Sequence, residues 1–158
     1  MKNLEELERK YKELGKEIER LKEEQNIGRL KKGKQYYTCY GDGSVESVMD
    51  NYSNSDDRRY TLGNYFKTKE EAREVVEKIK IYTELKRLAE RLNNGEKIDW
   101  KNISQMKYSI EYQHERKELC IFGNTVYQKQ GSVYCLEGRF KDIAIKEIGK
   151  DRLKKLFE

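Results

Sequence analysis

The sequence TKEEAREVVEKIKIYTELKRLAERL, which runs from Thr68 to Leu92, decides the fold class of this chain. Its apolar residues recur three and four positions apart, which is the spacing of one face of an amphipathic helix. Thr68 and Glu71 form a capping box at its start, and the run Asn93–Gly95 ends it. The predicted apolar face consists of Ala72, Val75, Val76, Ile79, Tyr82, Leu85, Leu88 and Leu92.

Strand-like segments precede this helix. Aromatic and β-branched residues predict a strand over residues 35–40, and a glycine-rich turn leads into a second strand over 44–49. A polar loop is expected over 50–59, and a third short strand over 60–66. This half of the chain therefore has three strands before its helix.

The segment after the helix repeats that order. The only tryptophan, Trp100, follows the helix and is expected at a junction of helix and sheet. Further strands are predicted over residues 107–113, 118–122, 125–128 and 133–136. A helix carrying Phe140, Ile143, Ala144 and Ile148 follows them, and Asp151 is expected to cap a last short helix.

The two halves align weakly with each other. One constant shift places Tyr65 on Tyr134 and Phe66 on Cys135, which suggests an internal duplication. We therefore predict an α+β fold in which an N-terminal heptad helix precedes two weakly repeated units, each an antiparallel sheet plus a helix. The predicted boundaries are 1–33 for the helix and its hinge and 34–158 for the α+β domain, with 34–95 and 104–158 as the repeats.

The first segment, from about residue 3 to residue 29, has the pattern of a coiled-coil helix. Asn3 and Glu6 resemble a capping box. Charged residues flank a narrow apolar stripe that needs a partner, because a lone helix of about three heptads is marginal in water. That partner is a second copy of the chain, another helix of the same chain, or another protein. The stripe consists of Leu4, Leu7, Tyr11, Leu14, Ile18 and Leu21.

The composition bounds the class of protein. Only 35% of the residues are hydrophobic and 40% are charged, so the core should be thin, and 12 Tyr and 4 Phe should supply much of its packing area. The net charge of +5 permits contact with nucleic acid or an acidic protein without demanding either.

Cysteine usage and the first residues indicate a location. Cys39, Cys120 and Cys135 are an odd number with no Cys-x-x-Cys spacing, which favours a reducing compartment. The opening residues are too charged for a signal peptide, and no apolar run is long enough to span a bilayer. We expect a cytoplasmic protein with no membrane contact.

Residues able to support catalysis are sparse. The single histidine, His114, is expected in a charged turn. Asp56 and Asp57 lie near Glu46 and Asp50, but adjacent acids followed by arginines are more typical of turns and salt bridges than of a metal site. We therefore predict no catalytic residues, no metal site and no cofactor, and a protein that is not an enzyme.

A basic segment with neighbouring tyrosines is the main candidate binding surface. Gly28 and Gly33 bracket its first cations, as a helix end and hinge would. Cations neutralise phosphates, and aromatic rings stack on bases or fill a protein interface. The alternative is a well-solvated hinge beside a sheet whose tyrosines alternate between core and surface. The candidate residues are Arg29, Lys31, Lys32, Lys34, Tyr36, Tyr37, Arg58, Arg59 and Tyr60.

Several short segments resemble a group of small, mostly uncharacterised proteins encoded in phages and prophages of Gram-positive bacteria. They are LGNYFKTKEEA at 62–72, VEKIK at 76–80, IDW at 98–100, KYSI at 107–110, and the end IG-x-DRLKK at 148–155. The resemblance covers the chain from Gln35 onward. It departs at the second helix, where Glu137-Gly138-Arg139 replaces the usual Thr/Ser-Lys-Glu cap.

The resemblance implies a function class without transferring any catalytic motif. Small phage accessory proteins often antagonise host defence, including anti-CRISPR proteins that bind a Cas effector. The leading expectation is a non-enzymatic inhibitor that binds a host defence protein or nucleoprotein in the host cytoplasm. One alternative is a nucleic-acid-binding accessory protein. Another is a protein that sequesters a small nucleotide signal, which would need a pocket with arginine and aromatic walls.

Overall fold

A computed structural model of the chain describes residues 2–25 and 28–158, and in the first helix it leaves out the side chains of residues 2, 3, 19 and 22–25. The predicted cap between Asn3 and Glu6 therefore lies outside the described residues. Five helices and two small antiparallel sheets confirm the α+β class, with a helix at the N-terminal end. The chain divides into two compact units, Met1–Ala72 and Arg73–Glu158.

The first unit holds two helices and a β-hairpin. The helices are α1 (Lys2–Gln25) and α2 (Asn54–Thr61), and the strands are β1 (Gln35–Cys39) and β2 (Val45–Met49). Gln35 pairs with Met49 and Cys39 with Val45, so the hairpin closes over a short turn. On its other edge β1 meets Phe66, because the backbone N–H groups of Tyr37 and Phe66 each donate to the other's carbonyl, at 2.8 and 2.9 Å.

Two predictions for this unit are wrong. The segment expected to be a polar loop contains α2, whose start is fixed by a capping box: the N–H of Asp56 donates to the Ser53 hydroxyl at 3.3 Å, and the N–H of Ser53 donates to the Asp56 carboxylate at 3.0 Å. The expected third strand is reduced to a single bridge at Phe66, because Tyr60 and Thr61 belong to α2.

The second unit contains a three-stranded sheet and helices, and the long helix α3 enters it from the first unit. The helices are α3 (Lys69–Leu92), α4 (Phe140–Glu147) and α5 (Lys150–Lys154). The strands are β3 (Lys107–Gln113), β4 (Glu118–Asn124) and β5 (Tyr134–Cys135), in the order β4-β3-β5. The capping box of α3 is confirmed, because Glu71 N–H donates to the Thr68 hydroxyl and Thr68 N–H donates to the Glu71 carboxylate, both at 3.2 Å.

The core of the second unit lies between α3, the sheet and the two C-terminal helices. Leu85 and Leu88 are buried as expected, but Ile79 and Tyr82 are exposed, so the buried face of α3 is turned from the predicted one. The buried cluster comprises Ile81, Leu85, Leu88, Ala89, Ile110, Leu119, Cys135, Phe140, Ala144, Ile148 and Leu153.

Two further predictions in this unit fail locally. No strand forms at 125–128 within the described chain, and Val126 and Tyr127 there are exposed. The last helix begins at Lys150 after Gly149, whose φ of 100° is a left-handed conformation that glycine accepts readily. Asp151 therefore lies in the first turn of α5 and does not cap it.

The two units share a strand topology. In the first, β1 lies between β2 and the bridge at Phe66; in the second, β3 lies between β4 and β5. Tyr37 meets Phe66, and Tyr108 pairs with Cys135. This common arrangement is what a duplication of 34–95 and 104–158 would produce, and the duplication and its boundaries stay predictions.

Over residues 2–25 and 28–158, no helix has both the length and the apolar character that crossing a membrane requires.

Candidate functional site

Arg29, the first cation of the basic segment, is held inside the first unit. Its Nε and Nη2 atoms donate to the two carboxylate oxygens of Asp50 at 2.8 and 2.9 Å, and its Nη1 donates to Asp57 at 2.6 Å. Only 6% of the Arg29 side chain and none of the Asp50 side chain is exposed. The hydrogen bonds to Asp50 raise the pKa of Arg29. Its guanidinium is therefore bound by carboxylates inside the unit, and its contact with phosphate stays a prediction that this buried position disfavours.

Tyrosines surround this ion pair. The Arg29 guanidinium lies 4.4 Å from the ring centre of Tyr52 and 5.6 Å from that of Tyr60. The Tyr65 hydroxyl donates to Asp50 at 2.8 Å. Burial is the larger cause and this hydrogen bond to Asp50 the next, and together they raise the pKa of Tyr65 to about 12.

Tyr36 is likewise part of the interior. Its side chain is completely buried and its ring stacks on Tyr65 with centroids 4.1 Å apart. Its hydroxyl donates to Asp56 at 2.8 Å and accepts from Arg59 at 3.0 Å. In this position the Tyr36 ring has no face open to a base, so stacking by Tyr36 stays a prediction that the structure disfavours. Arg59 donates to the Tyr36 hydroxyl and keeps 28% of its side chain exposed.

The remaining candidates of the basic segment lie at the surface. Lys31, Lys32, Lys34 and Arg58 are exposed, and Tyr37 is half-buried in β1. The segment is thus divided into an interior part and an outer part with four cations. The sequence does not reveal this division, because the partners Asp50 and Tyr65 are distant in the chain.

The apolar stripe of α1 is exposed along its whole length. Leu4, Leu7, Tyr11, Leu14, Ile18 and Leu21 have between 44% and 81% of their surfaces exposed. Beside the stripe, Lys10 pairs with Glu6 at 3.0 Å, and Arg20 donates to Glu17. The structure therefore presents a row of six large apolar side chains between charged borders, which is the surface of a coiled-coil helix without its partner.

A cleft opens at the β5 edge of the sheet in the second unit. Its volume is about 300 Å³. Aromatic and charged side chains share its wall, and they are Tyr82, Lys86, Glu90, Lys97, Trp100 and Tyr134. The Trp100 ring stands edge-on to Tyr134 with centroids 4.9 Å apart. The sequence placed Trp100 at a helix–sheet junction, but it did not indicate an opening there.

The side chains of His114, Asp50 and Asp56, which are the types that could support catalysis, contact other side chains of the fold. His114 lies edge-on to Tyr112 at 4.9 Å. Asp50 accepts a hydrogen bond from Arg29, and Asp56 accepts hydrogen bonds from Tyr36 and Ser53. In the part of the chain that the structure describes, no three His, Cys, Asp or Glu side chains are grouped to hold a metal ion.

No protein-family model, curated protein or solved structure shows significant similarity to this chain.

Proposed function

We propose that this chain is a non-catalytic binding protein of the phage accessory type, which dimerises through α1 and inhibits a host defence system by binding an effector nucleoprotein in the host cytoplasm. One observation carries the binding and dimerisation in this proposal: the exposed apolar stripe of α1. The resemblance to phage accessory proteins supports the inhibitor role. Removing a leucine or isoleucine side chain from water contributes roughly 1.5–3 kcal/mol, so the four leucines and one isoleucine of the stripe, with Tyr11, strongly favour association.

A second copy of the chain is the partner that α1 fits best. Lys10 and Glu17 lie one heptad apart on the same border of the stripe, with opposite charges. In an antiparallel pair of α1 helices, Lys10 of each copy lies beside Glu17 of the other. Within its own helix, Lys10 pairs with Glu6 and Glu17 pairs with Arg20. Ion pairs between exposed side chains contribute little to stability, so these two do not prevent the contacts between copies.

The size of the side chains supports the same pairing. In the antiparallel register, Tyr11 of one copy packs against Leu14 of the other, and Gly15 leaves space for the large ring. A Cβ on Gly15 would meet nothing within 4 Å, so contacts within the chain do not require this glycine. A glycine inside a helix costs about 1 kcal/mol relative to alanine, and a close contact with a second helix explains its presence.

Dimerisation matters to inhibition because it makes binding bivalent. Once one copy of the dimer has bound a repetitive nucleoprotein target, the other copy is held near the next site at a high effective concentration. Where the geometry permits both contacts, this raises the overall affinity by about 10²–10⁴. The resemblance to phage accessory proteins supplies the class of target. Because that resemblance covers the chain from Gln35 onward, we place the surface that contacts the target in this part of the chain.

Mass in solution tests the dimer. We expect the full chain to have twice its monomer mass, and the double variant Leu7→Gln/Leu14→Gln to be monomeric. The control Arg9→Gln/Lys16→Gln changes two residues on the opposite side of α1 and should stay dimeric. Glu17→Lys alone should weaken the dimer, and Lys10→Glu/Glu17→Lys should restore it. A monomeric wild-type chain would refute the dimer.

Inhibition is tested in cells. A bacterial strain with an active CRISPR system should restrict a targeted phage less when it expresses the chain, and affinity purification should recover a Cas effector in stoichiometric amount. The monomeric variant should protect the phage less than the control variant does. Full restriction in strains representing several defence systems would refute the inhibitor function while leaving the dimer intact.

The exposed cations Lys31, Lys32, Lys34 and Arg58 favour nucleic-acid binding as a second candidate function. Such binding should weaken steeply as salt rises, because phosphate contacts release counterions. Gel-shift experiments with generic DNA and RNA test this, using Lys32→Glu/Lys34→Glu as the variant. No shift even at low salt would dismiss it.

A further inference from the structure

The cleft of the second unit has the composition of a small-ligand site. It lies where the C-terminal half of α3 and the segment around Trp100 border β5. Its volume of about 300 Å³ is at the lower end of the range for ligand sites, roughly 300–1,000 Å³. Space of this size suits one nucleobase with its sugar and phosphate better than a dinucleotide.

Trp100 forms a rigid aromatic wall in this cleft. The ammonium of Lys107 lies 5.3 Å from the centre of the Trp100 ring. Lys107 is completely buried, and its Nζ donates to the carbonyl oxygens of Asn102 and Thr125 at 2.9 and 3.0 Å. With Tyr134 perpendicular to it at a centroid distance of 4.9 Å, the indole already has two packing partners before any ligand arrives. A pre-ordered ring spends less entropy when a base stacks on it.

The charges of the cleft favour an anion. Lys86 and Lys97 are exposed on its wall, and Glu90 is the one carboxylate among the lining residues. Lys107 adds a positive charge behind Trp100, because its two hydrogen bonds go to neutral carbonyl groups. Among the lining residues, two exposed ammonium groups and one carboxylate therefore face a phosphate bound in the cleft, which favours an anion.

A polar group at the same wall supplies a directional contact. The side-chain oxygen of Asn93 accepts a hydrogen bond from the backbone N–H of Leu136 at 2.8 Å. This bond fixes the amide and leaves its nitrogen as a donor for a ligand oxygen or ring nitrogen.

From these features we propose that the cleft between α3 and β5 binds a nucleoside monophosphate, with the base against Trp100 and the phosphate at Lys86 and Lys97. Stacking on an aromatic ring accepts any base, so affinity is expected to depend more on the phosphate than on base identity. This site is separate from α1 and does not rest on the proposed function.

Trp100 provides the first measurement, because it is the only tryptophan of the chain. Adding AMP, GMP, CMP or UMP to the full chain should quench its fluorescence saturably, and calorimetry should give the same dissociation constant. The corresponding nucleosides should bind roughly tenfold more weakly, because they lack the charged contact. Inorganic phosphate alone should leave the fluorescence nearly unchanged.

Lysine variants locate the site. Lys86→Ala/Lys97→Ala should weaken AMP binding by roughly tenfold, since the two lost charged contacts together contribute about the factor expected for removing the phosphate. The control Lys80→Ala/Lys150→Ala removes two exposed lysines that do not line the cleft and should bind as the wild type does. The proposal is overturned if no nucleotide binds saturably, or if both double variants bind equally well.

Discussion

Arg29 and Asp50 form an ion pair through two hydrogen bonds, 2.8 and 2.9 Å long, with both side chains almost wholly removed from water. The pair joins the segment after α1 to the end of β2. A buried charge without its partner is strongly destabilising, whereas a complete pair is tolerated. The integrity of the first unit therefore depends on both residues together.

Replacing Asp50 by Asn should destabilise the first unit by roughly 3–5 kcal/mol, because it leaves the Arg29 guanidinium buried with only part of its compensation. Urea unfolding followed by circular dichroism measures the change. The control Arg58→Ala alters an exposed residue of α2 and should stay within about 0.5 kcal/mol of the wild type. Equal effects of the two substitutions would contradict the structural role of the pair.

The first unit should lose stability in acid as Asp56 is protonated. Burial alone raises the pKa of Asp56, but hydrogen bonds from Ser53, Tyr36 and backbone N–H groups hold it at about 2. The unfolded chain has an aspartate pKa near 3.9. The stabilisation, roughly 2.6 kcal/mol, is therefore complete about one pH unit above the unfolded pKa of ~3.9 and is lost as the pH falls towards ~2.

Unfolding free energies measured across that acidic range test this prediction. Asp56→Asn should be less stable than the wild type at neutral pH, and the difference should shrink as the pH falls. A difference that stays constant over the range would show that the Asp56 charge contributes nothing to stability.

The Tyr65 hydroxyl should produce the opposite dependence in alkali. Burial and the neighbouring Asp50 raise the pKa of Tyr65 to about 12, above the value near 10 of an unfolded chain. Its stabilising contribution is therefore complete below pH ~10 and lost as the pH rises towards ~12. Burial also raises the pKa of Tyr36, so absorbance titration should reveal late-titrating tyrosines whose number falls by one in Tyr65→Phe. An unchanged number in that variant would assign the late titration to other tyrosines.

Replacing Lys107 by Met should destabilise the second unit and free Trp100. The carbonyl groups of Asn102 and Thr125 lose their hydrogen-bond donor, which should cost about 0.5–1.5 kcal/mol for each hydrogen bond lost. Trp100 fluorescence should also lose anisotropy, because the cation against its ring is gone. Lys97→Met is the matched control on the same cleft, and unchanged anisotropy in both variants would contradict the account.

The sequence predicts best where a periodic pattern and a terminal signal coincide. In α3, the Thr68–Glu71 box and the Asn93–Gly95 stop bound the helix correctly. The exact buried face is harder to predict, because the helix also carries Ile79 and Tyr82 on a side that the sheet does not cover. Periodicity identifies an apolar stripe wider than the surface available to bury it.

The α2 helix was missed because it lacks an apolar stripe. Its one buried residue is Asp56, and its sequence resembles a polar loop. The only local signal is Ser53 followed three residues later by an acid, which is the spacing of a capping box. Conversely, Val126 and Tyr127 have strand-forming side chains but remain in a loop, because β-propensity has no effect without a neighbouring strand to pair with.

The roles within the basic segment could not be separated from sequence alone. Arg29, Lys32 and Lys34 look equivalent in composition, yet Arg29 is buried and the lysines are exposed. The difference arises from Asp50, which lies 21 residues further along the chain. Side-chain partners at such separations follow from the fold and not from local pattern.

The two hairpins have a consequence for how the protein is made. Each joins strands that are adjacent in the chain, β1 to β2 and β3 to β4, across connections of a few residues. Contacts between neighbouring segments of the chain favour rapid folding. A hairpin closes in roughly 1–10 μs, which is far shorter than the time a ribosome needs to add one residue at about 5–20 residues per second. Each hairpin can therefore close as it leaves the ribosome. The sheet of the second unit gains its third strand only when Tyr134 and Cys135 have emerged.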